Sequence, residues 1–134
     1  MSFKKTLRFL EEINMNIEEF RNYCLAKKGV TESFPFDEQT LVFKVMGKMF
    51  ALSGLEHQPA RVNLKCDSER SIQLREEYDG LINPGYHMSK LHWNTVMLEM
   101  NLPHKLLLEL IDHSYNLVVK GLPKKLREQL NDTN

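Results

Sequence analysis

Between Thr40 and Ser53 the chain alternates on a period of two, and this stretch restricts the fold more than any other. Leu41, Phe43 and Val45 fall on one face of a strand, with Val42, Lys44 and Met46 on the other. Gly47 permits a tight turn, and Lys48–Ser53 returns as a second strand. A hairpin of this kind needs further strands beside it and a layer of helices over its apolar face.

The flanking sequence supplies both. Val30–Phe36 is strand-like, with Pro35 marking an edge or an ending. Arg61–Cys66 alternates again, with Val62, Leu64 and Cys66 on one side and Arg61, Asn63 and Lys65 on the other. After the break at Pro84-Gly85, Tyr86–Leu98 reads as extended with a kink or turn near Ser89-Lys90. Four helices are predicted inside this frame. Asn16 caps the first, with Glu19 three residues on and Gly29 as its stop. Asp67 or Ser68 caps a second that runs to about Tyr78. Pro103 opens a long one with Leu106, Leu107, Leu110, Ile111, Leu117 and Val118 as its stripe, and Pro123 opens a short last one that buries Leu126 and Leu130. The expected order is α-β(3)-α-β(2)-α, a two-layer α+β sandwich with an antiparallel sheet and helices on one face. Residues 1–15 carry a separate amphipathic helix candidate, from Phe3 to Ile13, read as an N-terminal extension; the compact domain is expected over residues 16–131.

A chain of 134 residues, 42% hydrophobic and 27% charged, can bury one core. Nothing approaches the ~18 apolar residues of a membrane span, and charges interrupt the N-terminus where a secretory signal would be apolar. The two cysteines, Cys24 and Cys66, lie far apart on apolar faces, which reads as buried thiols in a reducing, cytoplasmic compartment.

Catalytic signatures are absent: there is no GxSxG elbow, Walker loop or GxGxxG turn, so neither an enzyme nor a cofactor is implied. Metal binding is not expected either. His87 and His92 are an odd number of residues apart, and His57, His104 and His113 belong to separate elements.

Charge gives a different signal. Net charge is zero, which argues against a strongly basic nucleic-acid clamp and leaves room only for a local patch. Two stretches lack acids, Gly80–Leu98 and His113–Arg127, the latter with Lys120, Lys124, Lys125 and Arg127. The first gathers Tyr86, His87, Lys90, His92 and the only tryptophan, Trp93. Cations beside aromatics suit nucleic acid, because the cation meets phosphate and the ring stacks on a base. Trp93 and Tyr86 equally suit packing in a core strand. Lys44 and Lys48 flank the hairpin turn, while Arg61 and Lys65 share a strand face. With helices on one side of the sheet, these four would lie on the open side, where they either meet water or grip a phosphate backbone.

The segments TLVFKVMGKMFAL, VNLKCDSERSIQLREEY, PGYHMSKLHWNTV and SYNLVVKGLPKK, in this order, resemble the MmcQ/YjbR family from about Asn16 to Leu130. The run Pro84, Gly85, Tyr86, His87, Met88, Lys90, His92, Trp93 is the most specific part, joined by Ser114 and Tyr115 in the long helix. The resemblance implies a CyaY-like fold, also grouped with secretion-chaperone-like sandwiches, and a bacterial source. It also implies double-stranded DNA binding through a "double-wing" of hairpins. Frataxin-type relatives of this fold bind iron through an acidic helix; here that helix offers only Glu18 and Glu19 against three cations, which speaks against iron.

The expected function is therefore non-catalytic DNA binding through phosphate contacts from Lys44, Lys48, Arg61, Lys65, Tyr86, His87, Lys90, His92 and Trp93. The alternative is a protein-interaction or chaperone-like module that uses a sheet edge, or self-association through the Phe3–Ile13 helix. A third possibility, a small-ligand protein, requires Tyr86, His87 and His92 to line one concave pocket.

Overall fold

The computed structural model describes residues 15–133, so the predicted Phe3–Ile13 helix lies outside the described residues. Six strands form one antiparallel sheet in the order β1-β2-β3-β4-β6-β5, made of β1 (Val30–Ser33), β2 (Thr40–Val45), β3 (Lys48–Gly54), β4 (Arg61–Lys65), β5 (Ile82–Pro84) and β6 (Trp93–Met97). Four helices are interleaved: α1 (Ile17–Leu25), α2 (Ser68–Glu77), α3 (His104–Lys120) and α4 (Lys124–Asn131). This is the expected two-layer α+β arrangement, with four strands rather than three ahead of α2.

The helix caps follow the sequence signals. The Asn16 side chain accepts from the Glu19 backbone N–H at 2.8 Å and opens α1. The Asp67 carboxylate accepts from the Arg70 N–H and opens α2. On α3, Leu107, Leu110, Ile111, Ser114 and Val118 are buried, a stripe at helical spacing laid across β2, β3 and β4. The main core fills the space between, with Phe20 edge-on to Phe43 and Phe50 edge-on to Tyr115. Met15, expected in the extension, is 1% exposed and belongs to this core, so packing begins one residue earlier than the cap suggested.

The β2–β3 turn is the two-residue Met46-Gly47, both at positive φ (50° and 84°), the geometry that matches strand twist. Phe43 faces Ala51 and Lys44 faces Met49, so Phe50 is bulged out of the register. The bulge turns both Phe50 and Ala51 into the core.

The expected strand across Tyr86–His92 is absent. Pairing instead uses Ile82–Pro84 as β5, against Val96, Thr95 and Asn94, and residues 85–92 form a loop. Pro84 ends an edge strand, where its missing N–H costs no ladder bond. Gly85 is needed for a different reason: a Cβ there would lie 2.8 Å from the Trp93 Cβ and 2.9 Å from the Trp93 carbonyl oxygen. From the helix side, Arg75 secures the loop's end by donating to the Asn94 side chain and to the Lys90 and Trp93 carbonyls.

Candidate functional site on the uncovered sheet face

Period-two alternation decides which side chains reach the face that the helices leave free. Register places Val42, Leu52, Asn63 and Thr95 side by side as the middle rung across four strands. Lys44 lies opposite Met49, and Lys65 opposite Trp93, at one end. Thr40 faces Gly54, and Arg61 faces Met97, at the other.

The face is not bare. Val42, Leu52 and Trp93 form a second, small apolar cluster with Met49 and Met88 against it. Met88 comes from the Gly85–His92 loop, which therefore folds back over the sheet. Trp93 is 9% exposed within this cluster, its side chain packed with Val42 and Leu52.

The end built from Lys44 and Lys65 is cationic. Lys48, however, pairs with Val45, a core residue, and so lies toward the helix side of the sheet's margin. There it shares a hollow with Met49, Lys65 and the C-terminal part of α3 at Leu117, Val118 and Gly121. The exposed Lys120 and Lys124 bracket that same helix end in sequence. The ion pairs among the described residues are Arg21–Glu32 (2.5 Å), Lys27–Asp112 and Arg70–Glu109 (2.6 Å), all involving a helix of the covering layer. None includes Lys44, Lys48, Arg61, Lys65 or Lys90. The Arg21 guanidinium also holds the Glu32 carboxyl below its ordinary range.

The opposite end is a concave pocket of about 580 Å³. Its floor is apolar, from Met49, Leu52 and Met88. On one wall an Arg61 Nη2 donates to His57 Nδ1 at 2.8 Å, and the guanidinium lies 5.7 Å from the Tyr86 ring centroid. The His57 ring fits because Gly54 has no side chain: a Cβ there would be 2.6 Å from the ring. Behind the floor the Tyr86 N–H donates to Thr95 Oγ1 at 3.0 Å, and Thr95 Oγ1 donates to Asn63 Oδ1 at 2.5 Å. Tyr86, 57% exposed, lies against His87 with ring centroids 4.0 Å apart. His87 takes a left-handed backbone, φ 59°, a conformation that costs a residue with a Cβ about 1–2 kcal/mol.

The nine expected contact residues thus separate. Lys44 and Lys65, with Lys48 at their margin, hold one end of the face; Arg61, Tyr86 and His87 build the pocket at the other. Lys90 and His92 are exposed on the loop's far limb, and His92 does not line the pocket with Tyr86 and His87. His57, which the sequence sets on an element apart from the other histidines, joins this pocket. Its role depends on the conformation of the 54–60 loop, for which the alternation pattern gives no signal. Among the described residues no three His, Cys, Asp or Glu side chains gather to hold a metal. Both thiols are buried, and burial pushes Cys24 up to about 12, away from nucleophilic use. Among the described residues no helix is long and apolar enough to cross a membrane.

Comparison with known proteins gives one consistent answer. The family model described as YjbR matches residues 25–117. The uncharacterized protein YjbR of Escherichia coli K12 is 36% identical over 117 residues, which cover 87% of this chain and 98% of that protein. The uncharacterized protein YbdF of Escherichia coli O157:H7 is 41% identical over 108 residues, 81% of this chain and 88% of that one. A crystal structure of a Deinococcus radiodurans protein with a DUF419 domain superposes with a TM-score of 0.83 at 39% identity, covering 91% of each chain. A Pseudomonas syringae structure superposes with a TM-score of 0.66 at 29% identity, over 77% of this chain and 98% of that one.

Proposed function

The chain belongs to the YjbR family, and we propose that it is a non-catalytic DNA-binding protein that takes the phosphate backbone at the cationic end of its uncovered sheet face. One observation carries this reading. The covering layer neutralises Arg21, Lys27 and Arg70 with carboxylates, while Lys44, Lys48 and Lys65 have no carboxylate partner among the described residues. Uncompensated ammonium groups on neighbouring strands form a local patch that zero net charge conceals. The Met46-Gly47 hairpin projects at this end and serves as the wing. Lys90 on the loop supplies a further cation.

With three or four phosphates neutralised, log affinity should fall against log salt with a slope of about −3. Titration of a fluorescent duplex at two salt concentrations measures it. Replacing Lys44 and Lys65 by glutamine should weaken binding on every sequence alike and flatten the slope by about 2 units. Absence of binding at low salt, or an unchanged slope in that variant, would remove the proposal.

A second reading has its own observation. β1 is an open sheet edge, and beside it Phe34, Phe36 (67% exposed) and Leu55 present apolar side chains to solvent. A partner peptide adding a strand to β1 would cover them. Protection of the β1 amides from hydrogen exchange in the presence of a partner, without DNA, would favour this reading over the first.

A further inference from the structure

The pocket at the other end of the face contains a charged group that the protein leaves unanswered. Arg61 is half-buried, and among the described residues the only hydrogen-bond partner of its guanidinium is the His57 ring, which carries no counter-charge. Its backbone is fixed, since its carbonyl accepts from Ser53 Oγ at 3.0 Å. A guanidinium on a fixed strand position, in no ion pair among the described residues, is prepared to receive a planar anion through two parallel bonds. The Asn63 amide adds a second donor: Thr95 occupies its oxygen, while its nitrogen has no partner among the described residues.

Around these donors the surface is apolar and aromatic. Met49, Leu52 and Met88 form the floor, and the Tyr86–His87 pair stands at the side. Two methionines give a floor that adjusts to different shapes. Backbone strain at His87 points the same way, because sparsely populated conformations persist where a site requires them. The volume, about 580 Å³, lies within the range of pockets that enclose small organic molecules.

Two carboxylates limit the charge of the guest. Asp37 and Glu56 line the rim. Asp37 is committed to its own loop, accepting from the Gln39 and Thr40 N–H groups at 2.8 and 2.6 Å and from the Thr40 hydroxyl. Those backbone bonds hold its carboxyl below the ordinary aspartate range, so it is charged at neutral pH. A dianionic phosphate ester would meet both negative charges, whereas a single carboxylate seated on Arg61 meets them at half the charge.

We infer that this pocket binds a small organic monocarboxylate with an apolar or aromatic body, its carboxylate on Arg61 and Asn63 and its body over Met49, Leu52 and Met88 beside Tyr86. Its anchoring group, Arg61, lies at the other end of the face from Lys44 and Lys65, Met49 being shared with the hollow beside Lys48 and Lys65, and the site does not depend on DNA binding.

The test uses 1-naphthoate, 1-naphthamide and 1-naphthyl phosphate as probes on the full chain, followed by amide and arginine Nε chemical shifts. Naphthoate should bind saturably and move the signals of Arg61, Asn63, Tyr86 and His87, and the other two probes should bind more weakly. Arg61→Gln should weaken naphthoate by about tenfold to a hundredfold, the range for losing a charged hydrogen-bond partner. Lys44→Gln with Lys65→Gln should leave it unchanged. Equal binding of naphthoate and naphthamide by the unaltered protein would refute the carboxylate assignment whether or not the Arg61 variant folds. Tighter binding of the phosphate would refute the single charge. No saturable binding of any probe, or shifts confined to other regions, would refute the site.

Discussion

Ser114→Ala should destabilise this protein far more than the loss of one hydroxyl suggests. Ser114 is 0% exposed, and its Oγ does two jobs: it donates to the Phe50 carbonyl at 2.5 Å and accepts from the Lys65 N–H at 2.9 Å. Both backbone groups need it for one reason. The bulge leaves Phe50 without an opposite residue on β2, and the β3–β4 ladder has only the pairs Ala51–Leu64 and Leu52–Asn63. The α3 hydroxyl closes the gap where these central strands part. Alanine would strand one buried carbonyl and one half-buried N–H, at about 1–3 kcal/mol each, the N–H toward the low end because water can reach it. The sum is about 2–4 kcal/mol, a fall in melting temperature on the order of 10 °C for a domain of this size. Urea unfolding should show a lower midpoint with an unchanged slope, and the Lys65 amide should exchange faster. A loss under about 0.5 kcal/mol would show that the two backbone groups find other partners and that the bridge is incidental.

Three further outcomes follow from single contacts. Burial, then the nearby Arg70 charge, holds the His113 pKa below the ordinary 6.5, and neutral Nε2 accepts from the Asp67 N–H at 3.1 Å. A depressed histidine contributes stability that is present above its unfolded value and lost as pH falls through its folded one. Unfolding midpoints should therefore decline below about pH 6.5, and His113→Gln should remove that part of the decline. Gly85→Ala forces a Cβ against the Trp93 backbone and should cost about 1–3 kcal/mol, with a red shift of Trp93 emission as the loop lifts; unchanged emission would contradict the packing described. Arg75→Met should leave the core intact yet raise hydrogen exchange in residues 85–92, because its three hydrogen bonds hold that loop's end.

How far the sequence could be read depended on whether a residue's role was local. Strands β2, β3 and β4 were legible because alternation is a local consequence of the pleat, and α1 because Asn16 and Glu19 meet within one turn. Residues 86–92 were misread as a strand. Period-two alternation runs only through the following His92–Leu98, the ladder forms upstream at Ile82–Pro84, and Gly85 allows the loop to turn back onto Trp93. Lys48 sat in the right turn, but the bulge at Phe50 changes which side of the sheet a residue before it occupies. No rule of spacing reports a bulge. The pocket was least visible, since Arg61, His57 and Tyr86 come from a strand and two loops that only the folded sheet brings together.

A chain with equal numbers of acids and bases need not have a neutral surface everywhere, because covering helices select which charges meet. Here Glu32, Asp112 and Glu109 are spent on Arg21, Lys27 and Arg70, and this leaves the lysines of the other face without counter-charges. The same division accounts for the difference between the two ends of that face. At one end, lysines on neighbouring strands act as point charges, suited to a repeated, loosely placed phosphate. At the other, one arginine with a rigid fork, fixed through its backbone and flanked by carboxylates, suits a single planar anion of defined orientation. Ionic strength separates the two experimentally. Duplex binding should fall about tenfold for each roughly twofold rise in salt, whereas naphthoate binding, which involves one ion, should change several-fold less over the same interval. Parallel salt dependence for both probes would mean that they share one diffuse cationic surface, and the division of the face into two sites would be wrong.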